Sequence, residues 1–318
     1  MASATIERGG MAGKIMGPVR KKGALSGLRR QEAIAGYLFL LPNLLGFLAF
    51  SLFPIGAALL LMFTGWDLAS SPQFAGLENF RLMAKDSIFI KSLFNTFYYS
   101  FVAVPTGVLA AFCLALLINR KMRGVLTFRI IYFLPHITLS VAAAIVWAWI
   151  YHPEFGLVNY LLSQIGIQGP MWLEDSRWAM PAVIIMSNWK GIGYAMLVFL
   201  AGLQGIPGEL YEAATLDGAN GWQQIRHITV PMLSPTTFFI LTTSLIGAFQ
   251  SFDQFYIMTR GGPSYSTTTV VLWLYNNAFQ YFKMGYAAAM AGALFLCILT
   301  ITLIQWRVAK AWVYGFEG

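Results

Sequence analysis

The sequence predicts an all-α, polytopic membrane protein with six transmembrane helices, and three observations carry that prediction. Of 318 residues, 58% are hydrophobic and only 11% charged, where a soluble domain carries about 25% charged residues. Several uninterrupted apolar runs reach the roughly 20 residues needed to cross a hydrocarbon core of about 30 Å. The basic residues gather at the ends of those runs rather than along them. A β-barrel is excluded, because its strands alternate in segments of about ten residues instead of running apolar throughout.

The chain opens with a basic tail, residues 1–32, carrying Arg8, Lys14, Arg20, Lys21, Lys22, Arg29 and Arg30. The net charge of +8 therefore points to anionic lipid at a cytoplasmic surface and not to nucleic acid. The apolar segment that follows is too long for a cleavable signal. Six spans are expected over residues 33–63, 92–118, 128–151, 178–205, 233–258 and 286–306. Arg120, Lys121, Arg123 and Arg129 fall between the second and third spans, which places that loop, both termini and the loop of residues 206–232 in the cytoplasm. The outer segments hold only Arg81, Lys85, Lys91, Arg177, Arg260 and Lys283. Residues 267–282 compete for a seventh span, but they are short and contain Asn276, Asn277 and Gln280. They read instead as part of an external loop, 259–285, with a helix lying at the interface and its aromatics at headgroup level. Cys113 and Cys297 each sit in an apolar run without disulfide or zinc spacing.

The loop of residues 206–232 is longer and more polar than a connection needs to be: "EAATLDGANGWQQIRHITVP" occupies 212–231. Pro207 suits a first helical position, and Glu209 lies where a helix dipole favours negative charge. Leu210, Ala213, Ala214 and Asp217 recur at i, i+3, i+4 and i+7 and form one narrow face. The alanines would let a partner backbone approach closely. Gly218 follows where helices turn off through a left-handed residue, and Pro231 and Pro235 bracket the next span. The physical reading is a short helix, a sharp turn and a second short helix at the inner membrane face. An ordinary interhelical loop is the plainer alternative.

This stretch resembles the EAA loop of the permease subunits of binding-protein-dependent ABC importers, matched at Glu212, Ala213, Ala214, Asp217, Gly218, Ala219, Ile228 and Pro231. "TRGGPSYSTTT" at 259–269 is similar to the external loop after the fifth span in the carbohydrate branch, of maltose or glycerol-phosphate type. The resemblance runs from about residue 33 to the end. "LPNLLGFLAFSLFPI" and "FTGWDL" resemble the first of two non-identical permeases, without the long extra periplasmic domain of the maltose-type subunit. It implies the type I importer permease fold over 33–318 in a bacterial or archaeal cytoplasmic membrane. It implies four kinds of partner: a second permease, two ATP-binding subunits, an extracytoplasmic solute-binding protein and the bilayer. It implies no catalysis in this chain, with ATP and magnesium held by the ATPase. In that arrangement Glu212, Ala213, Ala214, Asp217 and Gly218 form the ATPase-coupling helix. Consistent with this, "GGMAGKI" at 9–15 lacks the glycine spacing of a phosphate loop and has Ile15 where Ser or Thr would meet magnesium.

A substrate path must be polar inside lipid, and two spans supply candidates. Ser187, Lys190, Gly191 and Tyr194 share one helical face, with Trp189 nearby as a stacking aromatic. Gly247, Gln250, Ser251 and Gln254 share another. Lys190, a charge within a span, is a functional hypothesis by default; snorkelling or pairing with Asp253 are the structural alternatives. His136 reads as a packing or path residue. A lipid-modifying membrane enzyme would need paired carboxylates or a metal cluster at a span end, and no Asp-rich motif is present. An ion-coupled secondary transporter would show internal repeats and need no coupling loop. Glycerol 3-phosphate or another polyol phosphate, in place of a sugar, remains an open cargo within the same assembly.

Overall fold

The computed structural model describes residues 22–119 and 124–315. Arg8, Lys14, Arg20 and Lys21 of the basic tail, and Arg120, Lys121 and Arg123 of the sidedness-setting loop, lie outside the described residues. The chain divides into two compact units, residues 1–57 and 58–318. Helix α1 (Lys22–Phe47) runs through a π turn (Leu48–Leu52) into α2 (Phe53–Leu61), whose last four residues, 58–61, fall in the second unit. The apolar part, Arg29–Leu61, has a mean hydropathy of 2.3, and Tyr37, Phe39 and Phe50 are exposed along it.

After α2 the second unit has a two-stranded hairpin, β1 (Thr64–Gly65) and β2 (Gln73–Phe74), and a short helix α3 (Glu78–Lys85). The second span, α4 (Ser87–Ile118), starts five residues before its expected limit, taking in Lys91. Asp86 causes the early start. Its Oδ1 accepts the amides of Ile88 and Phe89 at 2.9 and 3.2 Å, satisfying donors that a helix start otherwise leaves unpaired.

The third span is two helices, α5 (Val125–Ile137) and α6 (Ser140–Ile150), bent by 99°. Pro135 lies in the last turn of α5, where it contributes no amide to the ladder, and the extended backbone at Thr138 ends the helix. After α7 (Leu157–Gln164) comes the fourth span, α8 (Ala179–Gln204). Then follow α9 (Gly208–Leu216), α10 (Gly221–Gln224), a π turn (Ile225–Thr229), α11 (Val230–Met232) and α12 (Ser234–Phe249), the last bent by 63° from the segment before it. Pro235 has no N–H for the carbonyl of Pro231. The Ser234 hydroxyl donates to that carbonyl instead, at 2.6 Å, while its oxygen accepts the Tyr314 amide at 2.8 Å. The chain ends with α13 (Asp253–Met258), α14 (Val270–Tyr275), a π turn (Asn276–Gln280) and α15 (Met284–Trp312).

Among the described residues, four helices are long and apolar enough to cross a membrane, and the two bent pairs bring the number to six. Apolar burial alone does not hold such helices together in lipid; close packing does. Ala111 and Ala115 on α4 and Ala182 on α8 are fully buried, and these two helices pack against each other. A Cβ on Gly193 would come within 1.9 Å of the Tyr132 carbonyl, so only glycine permits α8 to lie this close to α5.

Residues 267–282 hold six α-helical and five π-helical residues, too few for a crossing. Phe279, Tyr281 and Phe282 at their end are exposed, while the first part packs into the protein. Thr267, Thr268, Thr269, Val270, Leu272, Trp273 and Asn277 are all buried. The reason is a polar stripe on α4. Asn95 donates to the carbonyls of Tyr265 and Thr268 at 2.8 and 2.9 Å, and the Thr96 hydroxyl accepts the Val270 amide at 3.0 Å. These bonds satisfy backbone groups that burial would otherwise leave unpaired.

Candidate functional site

Two regions concentrate the sequence candidates, and each is built by an interruption in helical structure. The first is the α9–α10 turn. Helix α9 begins at Gly208, so Pro207 is its N-cap and not its first helical residue, and Glu209 lies in the first turn. Gly218 has φ of +79°. Its amide donates to the Thr215 carbonyl at 3.1 Å, and the Ala219 amide donates to the Ala214 carbonyl at 2.9 Å. These two bonds form a Schellman closure, which needs a left-handed residue at the Gly218 position. Asn220 and Gln223 then make a reciprocal capping box at 2.7 and 2.9 Å that starts α10.

The two short helices are braced side to side. Gln224 Nε2 donates to Thr215 Oγ1 at 3.0 Å, and the hydroxyls of Tyr211 and Thr229 meet at 2.9 Å. Their outer surface is left uncovered. Glu212, Ala213, Asp217 and Gly218 are exposed while Ala214 is half-buried, and Glu212 has no hydrogen-bond or ion-pair partner among the described residues. Leu216 is 89% and Trp222 69% exposed, so the knob presents apolar side chains as well as a carboxylate.

The second region is a cavity of about 390 Å³ lying where α4, α8 and both broken spans converge. Ser187, Lys190, Gly191, Gly247, Ser251 and Gln254 line it, as expected of a shared polar surface. Trp189, Tyr194 and Gln250 do not. Trp189 packs edge-on against Trp147 at 5.5 Å, and Tyr194 stacks on His136 at 5.0 Å. Gln250 leaves the expected face because α12 stops at Phe249 and helical structure resumes only at Asp253. A face drawn at i, i+3, i+4 and i+7 holds only while the helix is continuous.

Lys190 stands eleven residues into α8, which begins at Ala179. Its Nζ donates to Ser140 Oγ at 2.8 Å, at the first residue of α6, and no pair with Asp253 forms among the described residues. Gln254 Nε2 donates to Tyr99 Oη at 3.1 Å, and Ser187 Oγ is buried without a partner. Tyr99, Ser140 and Ser244 were not singled out by sequence reasoning, yet they complete the lining. For Tyr99 a signal existed: Ser92, Asn95, Thr96, Tyr99 and Ser100 make a polar stripe at helical spacing within an apolar run.

Residues 81–313 match the family model described as the inner membrane component of binding-protein-dependent transport systems. The chain belongs to this family. The permease is 40% identical over 290 residues to the probable ABC transporter permease protein YesP of Bacillus subtilis, covering 90% of this chain and 93% of that one. It is 34% identical to the arabinooligosaccharides transport system permease protein AraP of the same organism, covering 86% and 88% of the two chains. Its fold matches a chain of a bacterial ABC transporter that imports the acidic polysaccharide alginate, with a TM-score of 0.79, 26% identity and 91% and 99% coverage. The importer permease fold read from the sequence is thereby established for this permease, with a helix count that agrees with six spans, as is its place as a non-catalytic component of the inner membrane.

Proposed function

We propose that this permease forms half of a carbohydrate pathway with a second, non-identical permease, and that the α9–α10 knob couples it to a cytoplasmic ATPase. The observation that carries the coupling is the exposure of Glu212, Leu216 and Trp222 on a turn locked by its own hydrogen bonds. A rigid lever with an unpaired carboxylate and bare apolar side chains fits a cleft on another protein better than it fits water. Glu212 pairs with a basic residue of that cleft, Ala213 and Ala214 allow close approach, and Asp217 and Gly218 set the turn. Two ATP-binding subunits hold ATP and magnesium; both termini and residues 206–232 face the cytoplasm.

The pathway runs through the cavity of Ser187, Lys190, Gly191, Gly247, Ser251 and Gln254, whose hydroxyl, amide and ammonium groups suit sugar oxygens. Trp189, Tyr194 and Gln250 serve it only in a conformation that turns them inward. The chain resembles both a relative named for a neutral saccharide, at 34% identity, and one that handles an acidic polysaccharide, at 26%, so similarity alone leaves the charge of the cargo open.

The test is twofold. Glu212→Ala should lower uptake severalfold in the assembled importer without reducing the amount of permease in the membrane. A maleimide probe on Leu216→Cys, with Cys113 and Cys297 replaced, should react in inside-out vesicles and not in intact cells. Reaction from outside, or full uptake by Glu212→Ala, overturns the coupling role.

A further inference from the structure

The cavity between the broken spans has an uneven charge lining. Lys190 faces it from α8 as its one charged side chain among the described residues, and no Asp or Glu lines it. The amino end of α6 begins at Ser140, the residue that holds Lys190 Nζ at 2.8 Å. That helix is 11 residues long, so its unpaired amides add partial positive charge at the same spot.

Lys190 stands deep in its helix. At 1.5 Å per residue it sits about 16 Å along α8 from Ala179 and about 21 Å from Gln204, so a four-carbon stem reaches neither end of the helix. Asp253, the acidic residue that sequence proximity offers as a partner, does not pair with it among the described residues. The ammonium bonds a neutral hydroxyl and keeps its remaining donors. A fixed cation in lipid without a fixed anion is an arrangement that a transported anion completes.

We propose that this cavity selects a saccharide or polyol bearing an anionic group, with Lys190 as the counter-charge during passage. The proposal rests on the carbohydrate-pathway reading above and adds the charge of the cargo. Hydroxyls of the ligand meet Ser187 Oγ, which is buried without a partner, and the Gln254 and Tyr99 pair. Two sources share the required chemistry: a hexuronate, with its carboxylate on a sugar ring, and a polyol phosphate.

The experiment compares wild type, Lys190→Gln and Lys190→Arg in the complete importer reconstituted in liposomes with its binding protein. The probes are a digalacturonate, its neutral digalactose counterpart and glycerol 3-phosphate. Since the binding protein is identical in every arm, a difference between variants reports the membrane cavity. Lys190→Gln should reduce the maximal uptake rate of an anionic probe at least tenfold, with little change in the concentration giving half-maximal uptake. Lys190→Arg should restore most of that rate. The permease should co-purify with its partner subunits in equal amount in all three, which shows that the assembly is intact. Uptake of digalacturonate or of glycerol 3-phosphate identifies the source of the anion. Preferential uptake of digalactose, or indifference of anion uptake to Lys190→Gln, overturns the proposal while leaving the carbohydrate reading in place. Failure to move any of the three by an ATP-hydrolysing assembly counts against both.

Discussion

The Ala219 amide sits 2.9 Å from the Ala214 carbonyl, and with that bond the α9 helix is closed and the chain reversed within two residues. The turn depends on Gly218 at φ +79°, a region where a Cβ is strained even though nothing lies within 4 Å to clash with it. Gly218→Ala should therefore loosen the knob by about 1 kcal/mol. Gly218→Pro should abolish the turn, since proline fixes φ near −65° and removes the N–H given to Thr215. Uptake should fall in that order while the spans stay inserted, as read by transport rate beside protease protection of the membrane segments.

Asp86 gathers three elements at the other end of the molecule. Besides capping α4, its Oδ2 accepts Trp273 Nε1 at 2.9 Å and Tyr286 Oη at 2.8 Å. Asp86→Asn offers an amide where those donors need an acceptor. Leaving them unpaired on side chains that are 7% and 9% exposed should destabilise by about 2–3 kcal/mol, visible as a lowered Tm of the purified assembly.

The same carboxylate sets an acid limit. Partial burial pushes its pKa up, but the bonds from Trp273, Tyr286 and the Phe89 and Ile88 amides outweigh that and hold it below the ordinary value. A folded pKa below the unfolded one gives stability that is present above the unfolded value, about 3.9, and lost as pH falls through the folded value. The contribution of Asp86 should thus be constant from pH 5 to 8 and decline only below about pH 4. Melting curves against pH should show this limb shrink in Asp86→Asn.

Ser234 repairs the gap made by Pro235. Ser234→Ala strands the Pro231 carbonyl and the Tyr314 amide together, so it should lower stability by about 1–2 kcal/mol. Ser234→Thr should retain most of it. Thermal unfolding of the two variants side by side distinguishes a hydrogen-bonding role from simple packing.

Glycines on α8 separate folding from transport. Gly193→Ala places a methyl against the Tyr132 carbonyl and should cut the yield of folded permease, an overpacking effect of about 1–3 kcal/mol or more. Gly191→Ala, with nothing within 4 Å and its face on the cavity, should fold normally and alter uptake alone. Equal yields of both variants would contradict this account of the helix contact.

Sequence by itself determined the medium, the apolar spans and the short helix, turn and second helix of residues 206–232. Apolar length, the lack of charge and the fixed spacing from Glu212 to Gly218 are local properties, and a helix of 3.6 residues per turn turns them directly into spans and faces. Only the tertiary structure decided where those helices break and what the breaks open onto. Gln250 and Gln254 look equivalent on a helical wheel, yet the interruption after Phe249 keeps one in the cavity and turns the other away. Lys190 meeting Ser140, fifty residues earlier, and Asp86 meeting Trp273 and Tyr286 are likewise invisible to periodicity. The physical reason is common to all of them: a polar group within lipid must find its partner inside the protein, and which distant segment supplies that partner is settled only when the helices pack.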